Sequence, residues 1–87
     1  MEIAELKERV KVRADFHPGG GVVPLRFKRQ DGSAFRIARV HSSWEDTEQE
    51  DRILYFSVTT DKSDDIFQLA YHDAERTWWL ESVMMEG

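Results

Sequence analysis

The sequence predicts a mainly β domain, a six-strand antiparallel meander curled into a small roll or barrel, and three observations predict it. Apolar and charged residues alternate over short runs, as in Val10-Lys11-Val12-Arg13-Ala14, the period-2 signature of a half-buried strand. Clusters of Gly, Pro, Asp and Ser separate those runs at turn length. The turns then set apolar residues opposite apolar residues, which a shifted register would not do.

The first strand spans Val10–Phe16, with Val10, Val12, Ala14 and Phe16 on one face. Before it, Ile3 and Leu6 fit a short helical turn over Met1–Glu8, one that needs docking to persist. His17-Pro18-Gly19-Gly20-Gly21 breaks the strand, because proline removes a donor and glycine frees the backbone. Leu25 and Phe27 mark the second strand, Phe35 and Ile37 the third. A two-residue loop between them would oppose Phe27 to Arg36 and mix the faces. A three-residue loop, Gln30-Asp31-Gly32, opposes Phe27 to Phe35, Leu25 to Ile37 and Arg26 to Arg36, with Gly32 in the left-handed position of a bulge.

After Ile37 the apolar phase shifts to Val40 and Trp44, which predicts a bulge near Ala38 or Arg39. Glu45 to Asp51 has no apolar residue and reads as a solvated acidic loop. Leu54, Phe56 and Val58 face inward on a fourth strand, Phe67, Leu69 and Tyr71 on a fifth, and Trp78 and Leu80 on a sixth. A four-residue loop, Asp73 to Arg76, sets Tyr71 against Trp78 and Leu69 against Leu80. Curling the sheet removes its exposed edges.

The chain has 87 residues, 40% hydrophobic and 33% charged, which suits one globular domain, residues 1–87, with one core. Without cysteine, disulfides, thiolate metal sites and a cysteine nucleophile are excluded, and a cytoplasmic location is expected. The first residues lack the apolar run of a signal peptide or membrane span, so no membrane partner is expected.

A net charge of −5 disfavours nucleic acid as a partner through bulk electrostatics. The charge is uneven, however: from Pro24 to His41 five bases face one acid, and from Ser42 to Arg52 five acids face one base. Opposed Arg26 and Arg36 repel, so an anion should sit beside them. It is either a carboxylate of this chain or an external anion, with Arg26, Lys28, Arg36 and Arg39 as candidate anion-binding residues.

His17, His41 and His72 lack metal-ligand spacing, Gly19-Gly20-Gly21 leads into a strand rather than a phosphate-binding helix, and Ser42 and Ser43 have no nucleophile motif around them. No catalytic residue, metal site or cofactor is expected. The last hairpin, apolar on both faces, opposes Ala70 to Trp79 and Ile66 to Val83 on its reverse side. Either Ile3 and Leu6 or the curl of the sheet itself cover that side, or Ile66, Ala70, Trp79 and Val83 form an interface.

The order Pro24-Leu25-Arg26-Phe27, Gly32, Phe35-Arg36-Ile37, Val40, Trp44, Tyr55-Phe56-Ser57-Val58, Leu69-Ala70-Tyr71 and Trp78-Trp79-Leu80-Glu81 resembles a family of small bacterial domains of unknown function. Some of these are encoded near or fused to DNA-repair polymerase relatives. The resemblance covers residues 22–83, implies an aromatic-rich β fold and carries no catalytic residue across. The acidic segment and the Gly-rich connection depart from it. The expected function is a non-enzymatic module that self-associates or binds another protein through the Trp79 patch, the alternative being a nucleic-acid accessory domain using the basic face.

Overall fold

A computed structural model describes residues 2–85. Six antiparallel strands run in sequence order and close into a barrel: β1 (Glu2–Phe16), β2 (Val22–Lys28), β3 (Ala34–Glu48), β4 (Asp51–Thr60), β5 (Ile66–His72) and β6 (Thr77–Met85). The expected meander is present, and no helix accompanies it among the described residues.

The N-terminal helical turn is corrected. Met1 lies outside the described residues, and Glu2 to Glu8 belong to β1, opposing Met85 through Leu80 of β6. A helix that short cannot hold itself together, whereas the edge of β6 offers a row of backbone partners whose capture closes the barrel. The register slips between Glu5 and Glu8, and Lys7 takes a positive φ of 50° there. Ile3 and Leu6 stay 59% and 37% exposed, so this segment lies beside β6 instead of across the outer face of Trp79.

The core is aromatic. Phe27 stacks on Phe35 at 4.9 Å and meets Phe67 edge-on at 5.3 Å. Trp78 contacts Tyr71 at 4.8 Å and Phe56 at 5.7 Å. Val10, Val58, Leu69 and Leu80 fill the space between the rings. The β2–β3 hairpin has the expected register, Phe27 opposite Phe35 and Arg26 opposite Arg36. Gly32, at φ 92°, donates its amide to the Arg29 carbonyl at 3.0 Å, and a side chain there would be strained.

Leu25 is corrected. Arg13 pairs with Arg26 and Ala14 with Pro24, so Leu25 is the extra residue of a bulge and is 37% exposed. Pro24 takes its place in the interior, tolerated because that half of β2 pairs with β1 alone. The bulge expected near Ala38 is present, and a second one falls at His41.

The acidic loop is also corrected. Glu45 through Glu48 continue β3 and pair with Leu54 through Asp51. Only Gln49 and Glu50 form the turn, both at positive φ, 49° and 68°, the conformation that matches the twist of a two-residue hairpin. Charge does not prevent a strand whose two faces both meet water. Val40 and Trp44, expected inside, are 36% and 43% exposed, and Trp44 stacks on Tyr55 at 5.4 Å.

Candidate polyanion-binding face

Strand alternation sends Val10, Val12 and Ala14 toward the barrel interior and Arg9, Lys11 and Arg13 outward. Pairing then sets Arg13 opposite Arg26 and Arg26 opposite Arg36, three arginines abreast on three strands. The neighbouring row is Lys11, Lys28 and Ala34. Directly opposed side chains stand about 5 Å apart at Cβ, so five cations share a narrow patch.

No ion pair engages any of these five among the described residues, although other bases find acids. Arg29 donates from Nε and Nη2 to the Glu8 carboxylate at 3.1 and 2.7 Å, and the Gln30 amide adds a third bond at 3.2 Å. Those donors, Arg29 first, hold the Glu8 carboxyl below its ordinary range against the opposing effect of burial. Arg52 meets Glu45 at 3.7 Å, and His72 meets Asp51 at 3.2 Å. The internal carboxylate weighed as the counter-charge for Arg26 and Arg36 is therefore not found beside them among the described residues.

A shallow depression of about 330 Å³ lies on this face, lined by Lys11, Arg13, Arg26, Lys28 and Ala34 together with Val12 and Phe27 of the same strands. The small side chain of Ala34 opposite Lys28 leaves that room. A second depression of about 610 Å³ shares Lys11 and Lys28 and runs on to Arg9 and the turn at Gln30–Gly32. The two share Lys11 and Lys28, and Asp31 is the one acid among the described residues lining the second.

Of the residues singled out from sequence, Arg26, Lys28 and Arg36 come together as expected, while Arg39, beyond the Ala38 bulge, stands opposite Thr59 on the β4 side. Lys11 and Arg13 were missed. Their signal was present, since they alternate with the apolar face of the first strand, but their pairing with the second strand spans the Gly-rich connection.

The Trp79 patch is corrected. Gln68 pairs with Ser82 and Leu69 with Leu80, so a bulge at Glu81 turns Val83 inward, opposite Phe67, where it is 6% exposed. Ile66 pairs instead with Met84 and is half-buried. Ala70 is fully buried in a row that runs Trp44, Tyr55, Ala70, Trp79, Arg9 across five strands. Trp79 is half-buried: the Arg9 guanidinium lies 5.9 Å from its ring, the His72 ring 6.4 Å away, and its Nε1 donates to Thr77 Oγ1 at 3.2 Å. The four residues do not form a continuous exposed surface.

At the far end of β3 the sign reverses. Burial, with the fields of Glu81, Asp46 and Glu48, raises the Tyr55 hydroxyl above its ordinary pKa. Among the described residues no three His, Asp or Glu side chains converge as metal ligands, and no helix is long and apolar enough to cross a membrane. The chain matches no protein-family model, no curated protein and no solved structure.

Proposed function

We propose that this chain is a non-enzymatic nucleic-acid accessory domain that holds a phosphate backbone on the outer face of β1, β2 and β3. The observation that carries the reading is the Arg13–Arg26–Arg36 row flanked by Lys11 and Lys28, like charges set side by side and engaged by no carboxylate among the described residues. Such a row costs stability unless an external anion joins it, and guanidinium forks suit phosphate oxygens. Phosphate contacts position a domain without reading sequence, so the domain tethers or orients a partner activity. Protein docking through Trp79 has less support, because Val83 and Ala70 are buried.

Fluorescence anisotropy with labelled single- and double-stranded oligonucleotides tests the reading. Binding at low salt should weaken with a log–log slope of about −4.5 if all five cations engage phosphates, at about −0.9 per contact on duplex DNA. Absence of binding at low salt, or undiminished binding by Arg13→Glu/Arg26→Glu, removes it.

A further inference from the structure

β2 and β3 are joined by only three residue pairs, Lys28–Ala34, Phe27–Phe35 and Arg26–Arg36. From Ile37 to Glu48, β3 pairs with β4 alone, and every residue from Ala38 to Glu48 is exposed. The turn at Gln49 and Glu50 decides which backbone groups this leaves open. In a two-residue hairpin the pair that closes the turn exchanges both hydrogen bonds, and such pairs recur at every second position. Glu48, Asp46, Trp44 and Ser42 therefore direct their amides and carbonyls to Asp51, Ile53, Tyr55 and Ser57. Ser43, Glu45 and Thr47 turn theirs away from β4, toward the open side. Thr47 fits that pattern, since its amide donates to Asp46 Oδ1 at 2.8 Å. A depression of about 300 Å³ lies between Gly20, Gly21 and Val22 on one side and Ser43, Trp44 and Glu45 on the other, so the neighbouring loop does not fill the place beside this edge.

The charges along this stretch select a strand that carries cations. Between Ile37 and Glu48, Arg39 is the one base, and Glu45, Asp46 and Glu48 are the acids. Arg52 answers Glu45 at 3.7 Å, whereas Asp46 and Glu48 meet no cation among the described residues. The Asp46 carboxylate, held on the Thr47 amide, stands at the open side itself. Trp44 shares the outer face with Asp46 and Glu48 by strand alternation and is 43% exposed. One side of its indole stacks on Tyr55 of β4 at 5.4 Å, which leaves the other turned away from β4. An arginine or lysine arriving there meets a ring face and then two carboxylates at successive outward positions. A second copy of this chain laid along residues 42–48 would instead set the same acids against each other.

We infer that the open edge of β3 over residues 42–48 receives an extended basic segment of another protein as an added strand, its backbone bonded to Ser43 and Glu45 and its cations, at alternate positions, over Trp44, Asp46 and Glu48. This rests on the acidic end of β3 and not on the phosphate-binding reading. A short labelled peptide alternating arginine and threonine should bind in fluorescence anisotropy, and one alternating glutamate and threonine should not. The arginine peptide N-methylated throughout keeps its charge, loses its backbone donors and should not bind. On the natural chain, hydrogen exchange at the Ser43 and Glu45 amides should slow as the arginine peptide is added, while the Trp44 and Asp46 amides, already held by β4, stay as they were. Trp44→Ala and Asp46→Asn should each weaken binding by about two- to fivefold, and Arg13→Glu/Arg26→Glu, which removes the phosphate-binding row, should leave it undiminished. Failure of the arginine peptide to bind, equal binding by its N-methylated form, or undiminished binding by both edge variants overturns the inference. So does exchange at Ser43 and Glu45 that ignores the peptide, or that slows with protein concentration alone, the mark of a second copy on the edge.

Discussion

Arg26 stands between two other arginines, Arg13 on β1 and Arg36 on β3, each directly opposite it in the strand register. The cost of that placement is measurable. Arg26→Thr, which keeps a good strand former, should raise stability by a few tenths of a kcal/mol at low salt. The same change should weaken oligonucleotide binding and flatten its salt slope by about one contact. Urea unfolding and anisotropy on the same samples check both, and loss of stability on removing Arg26 would count against the repulsion.

Phe27 is the residue on which the hairpin turns. It is 2% exposed and touches the rings of both Phe35 and Phe67. Phe27→Ala should cost about 3–5 kcal/mol, a large part of the stability of a small domain. Phe35→Ala, at a half-buried position, should cost less. Chemical denaturation ranks the two.

The turn at Gln49–Glu50 is a place where the chain is not optimal. Both residues hold positive φ, which costs a side-chain-bearing residue roughly 1–2 kcal/mol. Replacing the pair with Asn-Gly should stabilise the domain by about 1 kcal/mol and raise its melting temperature by several degrees. A calorimetric scan without that rise would mean that the tip is frayed in solution.

Acid should find the Glu8–Arg29 pair. The folded Glu8 carboxyl sits below its ordinary range because Arg29 and the Gln30 amide donate to it. A carboxyl depressed by folding contributes stability that is complete above the unfolded value, about 4.3, and is lost as pH falls through the folded one. Stability of the natural chain should therefore fall more steeply below about pH 4.3 than that of Glu8→Gln. Parallel pH profiles for the two would show that the pair contributes nothing.

What the sequence made legible was local register. The Phe27–Phe35 and Tyr71–Trp78 pairs follow from alternation plus a short turn, because each hairpin needs only its own two strands to make sense. Closure of β1 on β6 is different, since it joins the two ends of the chain and no turn announces it. Bulges are equally quiet: one extra residue at Leu25 and another at Glu81 sent Leu25 outward and Val83 inward. Composition misled at Glu45–Glu48, where acidity suggests a loop and a partner strand overrides it. The basic face was half legible for the same reason, two of its three columns lying on one hairpin and the third on a strand reached across a Gly-rich connection.

β3 begins among arginines and ends among carboxylates, and that gradient makes the molecule an electric dipole despite its net negative charge. Far from a polyanion the monopole repels. At close approach the field gradient exerts a torque that turns the arginine end forward and the hairpin tip away. Productive encounters would then share one orientation, and added salt should slow association before it loosens the complex.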